Sequence, residues 1–271
     1  MKIKNILSAI LVTSSITGSV SAGTIAEYWI TAGDQELIYV VQGNQVINTI
    51  TTPVSTNEYP IAVGDTIRTA DVAGSTTITE YNPDGTLSGN SYTTSLLGTH
   101  FDGATDGINY NYATDWRTGT VYRYDMYWAN GETLFTPSYT THNQLWNGIT
   151  YDSSSDSIWL NSRGSNPEFR NYSLNGDLLS SFALDVYANW GLAYEAQTDT
   201  LWSLGSYGTS GWSILNISKD GTVLESTVIN GLTGNLLGGE MRISSVPVPA
   251  AVWLFGSGLI GLFGFARRKK I

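Results

Sequence analysis

The sequence predicts an all-β domain, and three observations support this fold class. A polar turn centred on glycine recurs with its glycines 42–46 residues apart, at Gly43, Gly85, Gly131, Gly176 and Gly221. No segment between the two chain ends shows the sustained 3.6-residue periodicity of an amphipathic helix. Turn signals also divide the chain about every 8–12 residues, which is typical of proteins built from short strands.

A second element repeats in phase with these turns and indicates the architecture. Residues 148–159 match residues 191–202, and residues 107–110 with 120–122 form a looser third copy. Each unit then contains a Gly-apolar-x-Tyr strand, a polar turn, an apolar-Trp strand and a hairpin. Four strands in about 45 residues is the period of a propeller blade. We therefore predict a β-propeller of about five four-stranded blades; six blades, or a β-sandwich with coincidental turn spacing, are the alternatives.

The two ends of this repeat array favour a closed ring within a domain at 23–243. The first copy, residues 36–50, has an outer hairpin but only a weak inner strand, and residues 238–243 read as an unpaired inner strand. Pairing them would complete one blade and leave no open sheet edge. Aromatic residues at repeated positions are predicted to pack between blades: Tyr110, Tyr151, Tyr194, Trp159 and Trp202.

Both chain ends carry membrane-directing patterns. Lys2 and Lys4 precede a short apolar stretch, and small residues end it at Ala22, so residues 1–22 are predicted to be a signal peptide cleaved after Ala22. An uncleaved anchor is the alternative. At the other end, a linker at 244–249 leads to an apolar run at 250–266, which has the minimum length of a transmembrane helix. The basic end at 267–271 is predicted to stay in the cytoplasm.

The charge of the exported part excludes several functions. Six of the 13 basic residues lie in the two ends, which leaves seven against 23 acidic residues and a formal net charge of −16. Such a surface repels nucleic acid and anionic membrane surfaces. The chain has no cysteine, which excludes Cys-ligated zinc, Cys nucleophiles and disulfides.

Few residues point to chemistry. The chain has two histidines, His100 and His142, and lacks HExxH and Gly-x-Ser-x-Gly motifs, so we predict no catalytic residue, metal site or cofactor. The Asp152-Ser-Ser-Ser-Asp156 segment lacks the spacing of a calcium loop and is interpreted as an inter-strand turn. A Trp beside an amide suits a saccharide surface. The candidate ligand surface precedes two predicted inner strands and comprises His142, Trp146, Asn147, Asn189 and Trp190.

The C-terminal segment resembles a known sorting signal. The matching residues are Val246, Pro247, Val248, Pro249 and Ala250, the 253–258 Trp-Leu-Phe-Gly-Ser-Gly segment, Leu262, and Arg267, Arg268, Lys269 and Lys270. This segment is similar to the PEP-CTERM signals of Gram-negative bacteria, in particular the Val-Pro-x-Pro-Ala variant, with Val248 where the motif that names the family has Glu. The resemblance implies an exosortase that cuts near the Pro motif, and transfer of the domain to the cell surface or its release.

These observations predict a protein that is exported with the help of signal peptidase and held transiently in the inner membrane by its C-terminal helix. The expected function is non-catalytic binding or structural support, associated with extracellular polysaccharide. The alternatives are a hydrolase or lyase acting at the mouth of the propeller channel, and a tail that remains a permanent anchor.

Overall fold

The computed structural model describes residues 26–52, 58–71, 77–93, 97–138, 146–188, 191–205 and 211–242. Over these ranges the chain forms twenty β-strands and one 3₁₀ turn (Gly33–Gln35), without an α-helix. The strands make five antiparallel sheets of four strands each. This confirms the all-β prediction and the five-bladed propeller.

Each blade is formed by consecutive strands, and the first blade also includes the last strand of the chain. The strands are β1 (Glu27–Ala32), β2 (Leu37–Gln42), β3 (Gln45–Thr51), β4 (Glu58–Val63), β5 (Ile67–Asp71), β6 (Thr77–Tyr81), β7 (Leu87–Thr93), β8 (Gly103–Thr105), β9 (Tyr110–Thr114), β10 (Val121–Asp125), β11 (Glu132–Phe135), β12 (Trp146–Asp152), β13 (Ser157–Ser162), β14 (Glu168–Ser173), β15 (Leu178–Ala183), β16 (Leu192–Glu195), β17 (Thr200–Leu204), β18 (Trp212–Ser218), β19 (Val223–Ile229) and β20 (Gly238–Met241). Blade I joins β20 to β1–β3, and blades II to V are β4–β7, β8–β11, β12–β15 and β16–β19.

The ring closes in blade I, as the sequence predicts. The last strand, β20, pairs antiparallel with β1, with Tyr28 opposite Met241 and Thr31 opposite Gly238. The inner strands β4, β8, β12, β16 and β20 each contact the next one around the ring. The two ends of the strand array are therefore paired within one blade, and the five inner strands together surround a central channel.

Five hydrophobic clusters fill the gaps between neighbouring blades. Each cluster takes residues from both neighbours: Trp29 and Ile61 for blades I and II, Ala62 and Trp128 for II and III, Tyr112 and Ile158 for III and IV, Trp159 and Leu201 for IV and V, and Ile30 and Ile214 for V and I. Burying one such large side chain contributes about 1.5–3 kcal/mol. The core of this domain therefore lies between the sheets, and each blade depends on its two neighbours.

The repeated turn glycines connect the blades in three of the five copies. Gly85, Gly176 and Gly221 have φ of +86°, +88° and +91°, and a Cβ atom there would lie 2.6–2.8 Å from a side chain of the preceding blade. Those side chains are Ile50, Phe135 and Phe182. Glycine is thus required both by the turn and by the close approach of the preceding blade.

The interpretation of residues 107–110 as the inner strand of blade III is wrong. The inner strand is β8, and Gly107 lies in the turn that follows it. Oδ1 of Asp106 accepts the backbone N–H groups of Ile108, Asn109 and Tyr110 at 2.8–2.9 Å, and these bonds hold a turn where the sequence pattern indicated a strand.

The repeated aromatic residues have more than one environment. Trp159 and Tyr194 are buried between blades IV and V, as predicted. Tyr151 and Trp202 are half-buried and pack, as predicted, against the clusters between blades III and IV and between blades V and I. Tyr110 is instead exposed beneath Arg123, whose Cζ lies 4.5 Å from the ring centre.

The predicted signal peptide with Ala22, the linker, the transmembrane helix and the basic end lie outside the described residues. Within the described ranges, no helix is long and apolar enough to span a bilayer.

Candidate ligand site at the channel mouth

Two buried carboxyl groups lie within the ring of inner strands. Asp102 directly precedes β8 and is 0 % exposed, and Glu240 is the third residue of β20 and is 4 % exposed. Buried acids are rare unless they are paired or hydrogen-bonded. The surroundings of each acid therefore show what it does.

The Asp102 carboxylate connects four of the five blades. Its Oδ1 accepts the N–H groups of Gly103 at 3.0 Å and Gly239 at 2.8 Å, and its Oδ2 accepts those of Ile149 at 3.0 Å and Leu192 at 2.9 Å. The donors belong to β8, β20, β12 and β16. Each hydrogen bond to a charged group contributes about 1.5–3 kcal/mol, so this single side chain holds most of the ring together.

The same bonds favour the ionised form of Asp102. Burial raises the pKa of this carboxyl well above its usual value, and the four N–H groups offset only part of that rise. A carboxylate offers about four lone-pair positions, and all four accept N–H donors here. A proton on Asp102 would have to displace one of these donors, so we assign the ionised form to Asp102.

Glu240 has a different environment although it is on the same ring of strands. Its Oε1 accepts the N–H of Met241 at 2.9 Å and the hydroxyl of Thr150 at 3.4 Å, while its buried Oε2 has no partner with hydrogen-bond geometry. Burial and the negative charge of Asp102 raise the pKa of Glu240 well above its usual value, against the effect of the Met241 and Tyr194 amides. Burial thus raises the pKa of both acids, and we assign the proton to Glu240 because N–H donors occupy every acceptor position of Asp102 but not Oε2 of Glu240.

Glu240 lines a pocket of about 240 Å³ at one mouth of the channel. The pocket lies where four inner strands end, next to Thr105, Tyr151, Tyr194 and Met241. The lining also includes Ala26, Asp106, Ser153, Glu195, Ala196, Gln197 and Arg242. The pocket thus combines aromatic side chains, several carboxyl groups and one arginine.

Two tyrosines of this pocket, in neighbouring blades, are each held by a hydrogen bond to an aspartate. The Tyr151 hydroxyl donates to Asp156 Oδ1 and the Tyr194 hydroxyl donates to Asp199 Oδ1, both at 2.7 Å. Both aspartates end a strand-connecting turn with left-handed φ, +50° and +56°. Burial, together with the adjacent carboxylate, raises the pKa of both phenols. The repeated Tyr-x₄-Asp spacing therefore fixes two neutral aromatic rings at the pocket.

The turn at 152–156 is an inter-strand turn, as predicted. Asp152 accepts from Ser154, from Trp159 Nε1 at 3.2 Å and from Lys219 Nζ at 3.0 Å. Lys219 also forms an ion pair with Asp199, so this lysine of blade V links its own blade to blade IV.

Of the ligand surface predicted from the sequence, Trp146 and Asn147 are the first two residues of β12, whereas the pocket lies where the inner strands end. Trp146 is fully buried: its Nε1 donates to Ser138 O at 2.8 Å and Arg170 Cζ lies 4.9 Å from its ring centre. Asn147 is also buried, and its carbonyl accepts from the Thr114 hydroxyl at 3.2 Å. His142, Asn189 and Trp190 lie outside the described residues. This ligand surface stays a prediction.

His100 belongs to the core of blade III. Its Nδ1 lies 2.8 Å from Thr114 O and its Nε2 lies 2.9 Å from the Tyr124 hydroxyl, and burial lowers its pKa. Sequence reasoning missed Asp102 and Glu240. The signal for Glu240 was a carboxyl group in the Gly-Gly-Glu-Met strand, because a charged residue in an innermost strand must face the channel or the core.

The comparisons with known proteins identify the tail and the fold. The PEP-CTERM protein-sorting motif matches residues 245–270, so the chain carries a signal of the kind that exosortases recognise. The motif implies export and membrane anchoring by the tail before processing. All predicted sorting residues, from Val246 to Ala250 and from Arg267 to Lys270, lie outside the described residues.

No curated protein matches the sequence. A chain in the crystal structure of a nidogen/laminin complex is similar over 82 % of this chain and 100 % of its own length, at 13 % identity and a TM-score of 0.55. A protein of unknown function from Bacteroides caccae covers 78 % of this chain and 76 % of its own, at 10 % identity and a TM-score of 0.46. Streptogramin B lyase covers 78 % and 68 %, at 15 % identity and a TM-score of 0.45. Similarity at these identities shows the fold alone.

Proposed function

We propose that the exported propeller is a non-catalytic binding module for extracellular polysaccharide, with the channel-mouth pocket as its sugar site. The observation that carries this proposal is one pocket that combines the half-buried ring of Tyr151 with Oε2 of Glu240, which has no partner with hydrogen-bond geometry. Sugar sites need apolar faces for the ring and a few directed polar groups for the hydroxyls. The pocket supplies both.

The geometry of Asp102 and His100 argues against a catalytic role for these two buried groups. The Asp102 oxygens are occupied by backbone amides, and both ring nitrogens of His100 lie within hydrogen-bond distance of groups in the core of blade III. Glycoside cleavage by two carboxyl groups requires a second acid across the substrate from the first. In the described part of the chain, Asp102 is therefore unsuited to be the partner of Glu240.

Binding can be tested with the domain at 23–246, since every described strand lies between Glu27 and Met241. We expect retention on exopolysaccharide from the bacterium that produces the protein, and at least a tenfold weaker retention for Tyr151→Ala. Tyr127→Ala is the matched control, because Tyr127 is exposed and outside the pocket. Absence of retention at a ligand concentration of about 1 mM, where even weak complexes form, would rule out the polysaccharide.

An extracellular hydrolase or lyase is the second candidate, and the raised pKa of Glu240 favours it because a general acid must hold its proton. Incubating the domain with the same polysaccharide separates the two candidates. New reducing ends or unsaturated ends that disappear in Glu240→Gln would establish the enzyme. An unchanged polymer that remains bound would establish the binding module.

The fate of the tail is a separate part of the proposal. We propose that exosortase processing near Pro247 and Pro249 removes the apolar segment and leaves the domain at the cell surface or free in the medium. Intact mass spectrometry of the surface-associated protein should show the loss of the residues after the cut. A mass that includes the tail would mean that the tail is a permanent anchor.

A further inference from the structure

We propose that the channel-mouth pocket binds an ammonium group, carried by an amino sugar, through the free Oε2 of Glu240. This inference rests on the proposed function, because the amino sugar is the unit of the polysaccharide that enters the pocket. It adds the chemical class of that unit and the residue that selects it.

The first observation is the missing partner of Glu240. Oε2 is buried and has no partner with hydrogen-bond geometry, although buried carboxyl oxygens are nearly always paired. The Tyr194 amide near this carboxyl offsets only part of the effect of burial. In the described part of the chain, no lysine, arginine or histidine forms an ion pair with Glu240. Arg242 lines the pocket but pairs with Glu27 Oε2 at 3.3 Å. The pocket thus contains an acid whose counter-ion the described chain does not supply.

The second observation is the charge of the groups around Glu240. The neighbouring strands present neutral or acidic groups: Tyr28 from β1, Asp102 and Asp106 from the two ends of β8, Thr150 and Tyr151 from β12, and Tyr194 and Glu195 from β16. The nearby lysine, Lys219, lies 5.2 Å from the Tyr194 ring centre and is paired with Asp152 and Asp199. In β4, the ring of Tyr59 packs edge-on against Phe101. The Glu58 side chain lies outside the described part of the structure. An anionic ligand would be repelled here. A cation would offset the charge of Asp102 and of an ionised Glu240 together.

The shape of the pocket favours an organic ammonium. Tyr151 is half-buried: one face of its ring stacks on Tyr112, and the rest gives the pocket an aromatic surface that attracts cations and packs against sugar rings. Tyr194 is 6 % exposed, with Lys219 Nζ 5.2 Å from its ring centre, and it serves as the buried wall of the pocket. An ammonium has three donors, so one N–H can bind Oε2 and the others can reach neighbouring oxygens. A sugar with an amino group satisfies both features of the pocket.

Binding should release one proton. Without ligand Glu240 is protonated; with ligand the ammonium stabilises the carboxylate, and the Glu240 proton passes to the solvent. No bond to the ligand is made or broken. While Glu240 is protonated in the free domain, affinity should therefore rise about tenfold for each unit of pH. It should level off at the pH where Glu240 ionises in the free domain.

The test uses a glucosamine trisaccharide and its N-acetylated counterpart, which differ in charge but share their ring and length. Calorimetry of the 23–246 domain in two buffers of different ionisation enthalpy gives both affinity and protons released. We expect at least tenfold tighter binding of the amine, with one proton released per molecule. Glu240→Gln should remove this preference and the proton release.

Equal affinity for the two trisaccharides, no binding of either, or binding of the amine without proton release would each overturn the inference. If Glu240→Gln does not fold, the proton count on the unmodified domain still decides. Failure of the inference is distinct from failure of the proposed function. A domain that retains the polysaccharide but does not prefer the amine refutes only the ammonium site. A domain that prefers the amine but retains no polysaccharide refutes only the polysaccharide.

Discussion

Asp102 and Glu240 are two buried acids inside the same ring of strands, but their carboxyl oxygens differ in how fully they are hydrogen-bonded. All four acceptor positions of Asp102 are used by amides from four blades. Glu240 leaves one oxygen unpaired beside a pocket. A satisfied buried carboxylate is structural, because nothing remains with which to bind a ligand. An unsatisfied one costs stability unless a ligand completes it. We therefore infer that Asp102 stabilises the fold and that Glu240 takes part in ligand binding.

The largest expected effect tests the structural side of this comparison. Asp102→Asn would place an amide NH₂ against two of the four N–H donors, so the free energy of unfolding should fall by about 3–5 kcal/mol. Urea unfolding of the 23–246 domain measures it. Asp106→Asn is the matched control, since an Asx turn accepts either residue, and it should change stability by less than about 1 kcal/mol. A loss for Asp102→Asn as small as in this control would mean that Asp102 does not hold the ring.

Close packing around Asp102 gives the next largest effect. A Cβ atom at Gly103 would lie 2.7 Å from Trp128 and 2.9 Å from the Ile61 carbonyl oxygen, so Gly103→Ala must push β8 away from its neighbours. We expect a loss of about 2 kcal/mol in urea unfolding. Gly64→Ala is the control, since the nearest atom to a Cβ there is 3.9 Å away, and its effect should stay within about 0.5 kcal/mol. An equal loss of unfolding free energy in the two variants would contradict close packing around Gly103.

The pH dependence of stability tests the other acid. Because the pKa of Glu240 is raised in the folded state, its contribution to stability is complete below the ordinary value of 4.5 and is lost as the pH rises towards the folded-state pKa. The unmodified domain should therefore lose about 1.4 kcal/mol per pH unit in that window relative to Glu240→Gln. At pH 4.5 and below the two should differ by no more than about 1 kcal/mol. A stability difference that stays constant from pH 4 to pH 7 would show that Glu240 is not protonated when folded.

The smallest expected effect separates the ring of Tyr151 from its hydroxyl. Tyr151→Phe removes the bond to Asp156 and keeps the aromatic face, so stability should fall by about 0.5–1 kcal/mol. Polysaccharide retention should remain within about twofold, in contrast to Tyr151→Ala. Thermal unfolding and the retention assay measure these two quantities. If Tyr151→Phe loses binding as fully as Tyr151→Ala, the hydroxyl rather than the ring contacts the ligand.

The fold was largely predictable because its signals are local and repeated. The glycine turns mark the outer hairpins, and the Gly-Gly-Glu-Met segment marks the strand that closes the ring. Blade III was misread because Asp106 builds a turn from a sequence that resembles the inner strands of its neighbours.

The site was much less predictable, for a physical reason. The sequence contains 23 acidic residues, and nothing local distinguishes Asp102 or Glu240 from the others. Their roles arise from amides and hydroxyls brought together by other blades, at separations of up to 137 residues. The tyrosines of the pocket were recognised as a repeat, but only the closed ring shows that Tyr151 and Tyr194 border the channel mouth.

The most direct test of the central comparison is an NMR titration of the two carboxyl carbons in the 23–246 domain. With ¹³C labelling, the Glu240 and Asp102 side-chain signals can be followed from high to low pH, with assignments from Glu240→Gln. Burial raises the pKa of both acids, but four N–H donors favour the ionised form of Asp102. As the pH falls, we therefore expect Glu240 to take up its proton at a pH above 4.5 and before Asp102. If Asp102 is protonated first, or if Glu240 titrates at its ordinary value, the division between a structural acid and a ligand-binding acid is wrong.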